Sequence, residues 1–209
     1  MDSEVTAPTS PKGSVNINLA ITWMLLGVFA VGTVEYLVAG VLPQISREVA
    51  VTEATAGLLV TVYALTVVIG GPLLTIVTSR VKRIPLVLAL MTLFIAGNFL
   101  TALAPNFLLL VIARIMTALP HATFFALCLV LATTLVDPSY QGRVIARIAL
   151  GLNLATVLGV PLGTLIGNQY GWRSSFFVVA IFQTIVTVAL VLTIRHAPER
   201  TGGGITAEV

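Results

Sequence analysis

Charge is what this sequence has least of. Asp, Glu, Lys and Arg make up 9% of its 209 residues, against 57% that are apolar, whereas a soluble domain carries about a quarter charged residues. A water-exposed surface cannot be built from that composition, so the chain reads as an all-α polytopic membrane protein. Cysteine is nearly absent too. The single thiol, Cys128, lies inside an apolar run, which excludes an intrachain disulfide framework and a Cys-based zinc site and leaves a small buried hydrophobe. There is no P-loop, no dinucleotide fingerprint and no His, Cys and carboxylate set at metal-ligand spacing. No metal, cofactor or enzymatic activity is therefore expected. The net charge of +3 comes from short loops rather than a continuous patch, which argues against nucleic acid as a partner.

Long apolar runs are what the chain does have. A bilayer core takes about 20 apolar residues per helical span, and six runs are expected at about 19–41, 54–78, 84–104, 107–135, 144–167 and 174–194. They form one bundle over 19–195, with breaks at Pro43 to Glu53, Ser79 to Arg83, Pro105-Asn106, Asp137 to Arg143 and Asn168 to Arg173. Residues 1–18 are polar, rich in Pro, Ser and Thr, and lack the basic region and cleavage site of a signal peptide. They and the Gly-rich residues 196–209 read as flexible cytoplasmic tails. Lys12, Arg80, Lys82, Arg83, Arg143, Arg147, Arg195 and Arg200 fall on one side of the bundle and only Arg47 and Arg173 on the other. By the positive-inside rule both termini are cytoplasmic, in a cell membrane crossed several times.

One carboxylate stands within the first run, Glu35 in VFAVGTVEYLVAGVLP. A charge there costs at least ~2.5–3.5 kcal/mol on insertion scales, so Glu35 is expected to face a cavity or a partner. If the helix ends at Pro43, Glu35 lies about 12 Å below the outer surface, and Arg114 in the fourth run lies roughly 10 Å below it, at about 1.5 Å per residue. A direct or water-mediated pair is one outcome, and an Arg114 that snorkels outward is another. Thr117 and His121 continue the Arg114 face at helical spacing, with Pro120 beside them and Phe125 beyond. His121 reads either as a packing residue or as a titratable element of a proton path. Thr61, Tyr63, Thr66, Asn153, Thr156 and Thr164 are weaker cavity candidates, since membrane hydroxyls commonly bond their own helix. In the fifth run Gly159, Gly163 and Gly167 make a flat face for close packing, and Pro161 among them marks a local bend.

The stretches GTVEYLVAGVLPQIS, AGLLVTVYALTVVIGGPLLTIVTSRVKR, RIMTALPHATFFA and GLNLATVLGVPLGTLIGNQYGWRSSF occur in this order. Together they resemble the Major Facilitator Superfamily, in its drug and sugar efflux branch of proton antiporters, and cover its amino-terminal six-helix half. That resemblance implies two inverted three-helix repeats, with Glu35 as an acid of proton and substrate coupling and Arg114 as a cavity arginine. It also implies a gating loop at Arg80, Lys82 and Arg83 and a helix 5 antiporter motif at Gly159, Pro161 and Gly163. The chain departs from the pattern at Ser79, where the family carries aspartate, and at Lys82, where it carries glycine. Thr117-Ala118 replaces a Gln-Gly pair, and Val160 splits a Gly-Pro pair.

The expectation is a proton-coupled efflux permease for a sugar-like or amphipathic small molecule. Tyr63, His121, Phe125 and Asn153 would line the cavity, and the partners would be lipid, protons, substrate and either a second six-helix half or a homodimer partner. The alternative is a non-transporting membrane assembly subunit, or a truncated half that needs a partner.

Overall fold

The structure is a computed structural model describing residues 17–194. The tails expected at 1–18 and 196–209, with Lys12, Arg195 and Arg200, lie outside the described residues, except that Ile17 and Asn18 already belong to the first helix. Among the described residues there are six membrane-length helices and no strand: α1 (Ile17–Glu48), α2 (Glu53–Thr78), α3 (Arg83–Leu103), α4 (Phe107–Thr134), α5 (Pro138–Tyr170) and α6 (Trp172–Ile194). In hydrocarbon a backbone must satisfy its own polar groups, and a helix does so within one segment. Between helices the turns are supplied locally. Thr52 and Asn106 accept from Thr55 N and Leu109 N at 3.1 and 3.0 Å, capping α2 and α4. Gly171, at φ +85, ends α5 in a conformation that suits glycine.

The expected break at Pro43 is not there. Helix α1 carries Pro43 inside it and runs on to Glu48. A proline removes one hydrogen bond, but the last turn is held by its own side chains and by residues from α6. Arg47 Nε donates to the Pro43 carbonyl at 3.0 Å and Ser46 Oγ to Val51 O at 2.7 Å, while Glu48 pairs with Arg173 and accepts from Trp172 Nε1 at 2.6 Å. The chain turns instead at Ala50, at φ 54. Glu35 therefore lies thirteen residues from the helix end, roughly 20 Å at 1.5 Å per residue, deeper than a helix ending at Pro43 would place it.

Helix α1 is the central element, packed on α2, α4, α5 and α6, while α3 packs on α4 and α6. Its contact with α5 is the closest. A Cβ on Gly151 would stand 2.6 Å from the Leu25 carbonyl, so the two backbones meet there, and one on Gly163 would stand 2.7 Å from the Leu37 side chain, which the small face read from the sequence makes room for. Arg147 bonds Thr22 Oγ1 at 2.9 Å at one end of this seam, and Gln44 bonds Asn168 at 2.6 Å at the other. Helices α2 and α5 are the least covered. Val68, Ile69, Leu73, Ile76 and Val77 of one, and Val157, Leu158, Leu162 and Leu165 of the other, are exposed.

The same two helices each widen into a π turn, at Thr66–Gly70 and Ala155–Gly159, and each turn is followed at its second residue by a proline, Pro72 or Pro161. Val68, Gly70, Pro72, Leu73 and Thr75 recur as Val157, Gly159, Pro161, Leu162 and Thr164. The offset is 89 residues, the distance from Pro72 to Pro161, and it also carries Arg83, which opens α3, onto Trp172, which opens α6. The bundle is thus two three-helix units in tandem. Because three is odd, the second unit enters the membrane from the opposite side and is inverted relative to the first.

Candidate functional site

Where α1, α2 and α4 meet, the structure gathers four of the residues singled out in the sequence. Arg114 is 1% exposed, so it does not snorkel. Nor does it take the Glu35 carboxylate directly. Its guanidinium donates to three main-chain carbonyls, Val34 at 3.0 Å, Glu35 at 3.3 Å and Leu59 at 3.4 Å, and lies 4.1 Å from the centre of the Tyr63 ring. Of the outcomes left open by the sequence, the direct pair is not the one found: the guanidinium clamps backbone oxygens instead. Five fixed N–H donors suit arginine to several acceptors at once, and α1 and α2 present theirs at the same level.

The carboxylate of Glu35 instead faces His121, whose Nε2 is 3.9 Å away. The other ring nitrogen, Nδ1, lies 3.0 Å from the Tyr63 hydroxyl, and the two rings meet edge to face. Tyr63 is 1% and His121 8% exposed, whereas the Glu35 side chain is 29% exposed. The acid is thus the one member of the chain Tyr63, His121, Glu35 that opens outward, with the half-exposed Tyr36 next to it in the chain. Arg114 and His121 arrive together because they are seven residues apart on α4 and share one helical face. Thr117 between them bonds the Ala113 and Arg114 carbonyls of its own helix, both at 3.1 Å.

Other candidates lie apart from this cluster. Phe125 is half-buried and packs on the apolar core. Asn153 is exposed and donates to Ala149 O of its own helix at 3.5 Å. Thr66 and Thr156 likewise bond their own helices, to Val62 and Asn153. Arg80, Lys82 and Arg83 are exposed at the α2–α3 turn, and among the described residues no ion pair joins them. Gly159 and Pro161 close and follow the α5 π turn, and Gly163 is buried on α1.

Sequence reasoning missed the amides. Asn98 and Gln183 are fully buried, Asn98 donating to Phe94 O at 2.9 Å and Gln183 reaching Met91 Sδ at 2.8 Å and Thr187 at 3.3 Å. Polar side chains inside apolar runs were the signal, the same one that singled out Glu35. Also missed was the clamp at the end of α1, where Arg173 reaches Glu48, the Ala104 carbonyl at 2.7 Å and the face of Trp172 at 4.3 Å. It ties together α1, the end of α3 and the start of α6.

Comparison with known proteins gives three findings. The family model of the Major Facilitator Superfamily matches residues 24–208. The MFS-type transporter YfhI of Bacillus subtilis is 36% identical over 181 residues, covering 87% of this chain and 46% of that protein. The inner membrane transport protein YdhP of Escherichia coli is also 36% identical, over 93% of this chain and 49% of its own length. The chain spans about half the length of the curated relatives it matches. Among solved structures, a bacterial homologue of the human lysosomal transporter Spinster superposes with a TM-score of 0.72 over 89% of this chain and 45% of that one. At 19% identity that likeness speaks for the fold.

Proposed function

The chain belongs to the Major Facilitator Superfamily, and from that premise we propose that it forms one six-helix half of a proton-coupled efflux permease, with Glu35 as the group that binds and releases the coupling proton. The observation that carries this reading is the partner Glu35 has. Arg114 directs its donors to main-chain carbonyls rather than to the carboxylate, and the side chain facing the carboxylate is an imidazole at 3.9 Å. Imidazole changes charge near neutral pH, and the acid is open on its other side. Substrate and proton then compete for one carboxylate. Arg114 tunes its affinity, His121 and Tyr63 line the path, and the substrate is sugar-like or amphipathic.

Alternating access in this family sets two halves rocking about a site at the membrane midplane. The uncovered apolar faces of α2 and α5 fit a second six-helix half, or a second copy of this chain, packed there. The α5 turn at Gly159, Pro161 and Gly163 and the loop at Arg80, Lys82 and Arg83 are the flexing and gating elements in this reading. Arg80, Lys82, Arg83, Arg143 and Arg147 lie on the cytoplasmic side, with both termini.

Everted membrane vesicles carrying the chain together with a second six-helix half, or at a density that lets two copies pair, test the proposal, with a labelled hexose and an amphipathic cationic dye as probes. Uptake driven by an imposed pH gradient is expected, and Glu35→Gln is expected to reduce it at least about tenfold, the weight of one hydrogen-bonded charge. Equal flux in that variant overturns the coupling role. No flux from the chain, together with a stable heteromeric complex, supports an assembly subunit, the alternative that the same uncovered faces favour.

A further inference from the structure

Tyr63 has one side-chain partner for its hydroxyl among the described residues, His121 Nδ1 at 3.0 Å. A phenol O–H buried at membrane depth has to donate to something, and that nitrogen is the acceptor within reach. A ring nitrogen that accepts carries no proton, so in neutral His121 the proton is on Nε2. Nε2 is the nitrogen that faces the Glu35 carboxylate. Arg114 strengthens the arrangement. Its guanidinium is fixed by the Val34, Glu35 and Leu59 carbonyls and lies on the Tyr63 ring face, where the positive charge draws on the ring electrons and makes the phenol a better donor.

We propose that Tyr63 is a positioning residue that holds neutral His121 in the tautomer protonated at Nε2, so that the imidazole presents an N–H, not a lone pair, to the Glu35 carboxylate. The charged and titratable groups around the ring are Glu35 and Tyr36 from α1, Tyr63 from α2 and Arg114 from α4 itself. Among the described residues, Tyr63 is the hydrogen-bond partner of Nδ1. With it gone, nothing holds the proton off Nδ1, and the share of the population that turns a lone pair toward the carboxylate rises. This inference rests on the proposed role of Glu35, but it concerns a proton position that is observable without transport.

The test is nitrogen NMR on the full chain in lipid bilayers, with [15N]histidine and His196→Gln to leave His121 as the one labelled ring. At about pH 8.5, two units above the ordinary imidazole range, wild type is expected to show a proton on Nε2 and an accepting Nδ1, in about tenfold excess over the other tautomer, the weight of one buried hydrogen bond. Tyr63→Phe keeps the ring beneath Arg114 and is expected to lower that excess at least about twofold. A proton on Nδ1 in wild type overturns the proposal, as does an unchanged ratio in a Tyr63→Phe protein whose helical circular dichroism is intact. The wild-type spectrum decides the matter even if the variant does not fold. Tautomer control and proton coupling fail separately, since loss of the first shows in the spectrum and loss of the second in the Glu35→Gln flux.

Discussion

The two three-helix units share their backbone devices and differ in their charges. Both carry a π turn followed by a proline, and both set it in the second helix, against the first helix of the other unit. Gly70 and Gly71 of α2 approach Leu119 and Ala122 of α4, and Gly159 of α5 approaches Thr33 of α1. Yet at the offset of 89 residues, the distance from Pro72 to Pro161, Glu35 falls on Phe124, Arg114 on Leu25, His121 on Gly32 and Tyr63 on Leu152. The acid and one ring come from the first unit, the arginine and the imidazole from the second, and they meet where the units adjoin. Repetition supplies the frame. The chemistry lies in the positions that are not repeated.

That comparison can be pressed by substitution. The largest effect on stability is expected where a unique charge holds both units. Arg114→Ala strips three carbonyls of a shared donor and Tyr63 of its cation, and should cost about 3 kcal/mol, since hydrogen bonds to charged groups are worth about 1.5–3 kcal/mol each and do not add. Arg114→Lys should recover only part, because an ammonium lacks the planar fork. Denaturant titration in mixed micelles reads both, and an Arg114→Lys protein as stable as wild type would mean that the fork is not what joins α1 to α2.

Next come the two seams, which the comparison holds to be equivalent in kind but unequal in tightness. A Cβ on Gly151 meets the Leu25 carbonyl at 2.6 Å and Phe29 N at 3.1 Å, both main-chain atoms, whereas one on Gly70 meets the end of the Leu119 side chain at 2.7 Å. Backbone cannot step aside and a leucine can. Gly151→Ala should cost about 2 kcal/mol by overpacking and Gly70→Ala less than about 1 kcal/mol. Equal losses in the same titration would break the distinction.

Smaller still is the clamp at the end of α1. Glu48 and Arg173 are both partly exposed, and exposed pairs contribute about 0–1 kcal/mol, so Glu48→Gln, which leaves an acceptor for Trp172, should lower stability by less than about 1 kcal/mol. Smallest of all is Glu35→Gln, for which a change within about 0.5 kcal/mol is expected, because the carboxylate has no direct ion pair with arginine to lose. Flux lost at unchanged stability would separate function from frame at one residue.

Helix number, order and approximate ends were legible because a bilayer leaves few alternatives to a 20-residue apolar run. Pro43 was not, because the rule that prolines end helices takes no account of Glu48, Trp172 and Arg173 holding the turn beyond it from distant parts of the chain. Depth arithmetic brought Arg114 and Glu35 to one level and left open which of their atoms meet. Sequence gives the charge of a side chain, and only the crossing of α1, α2 and α4 decides that carbonyls lie nearer than the carboxylate. Asn153 shows the converse. Its type suited a cavity, and it lies exposed on α5, one of the two least covered helices, apart from the Glu35 cluster. The repeat of Val68, Gly70, Pro72, Leu73 and Thr75 was present in the letters and becomes conspicuous only when both copies adopt the same turn.

The π turns have one more consequence. Each holds a residue more than an α-helix would in the same length, and one residue is about 100° of rotation at 3.6 per turn. Such a turn acts as a phase shifter. Deleting one residue from Thr66–Gly70 would restore a regular helix and turn the whole of Gly71–Thr78 by more than a quarter of a circle. Thr75, whose hydroxyl lies 2.9 Å from Thr123, would leave α4, and the stripe of Leu73, Ile76 and Val77 would face a different neighbour. The extra residue therefore sets which way the last two turns of α2 look, independently of everything before them.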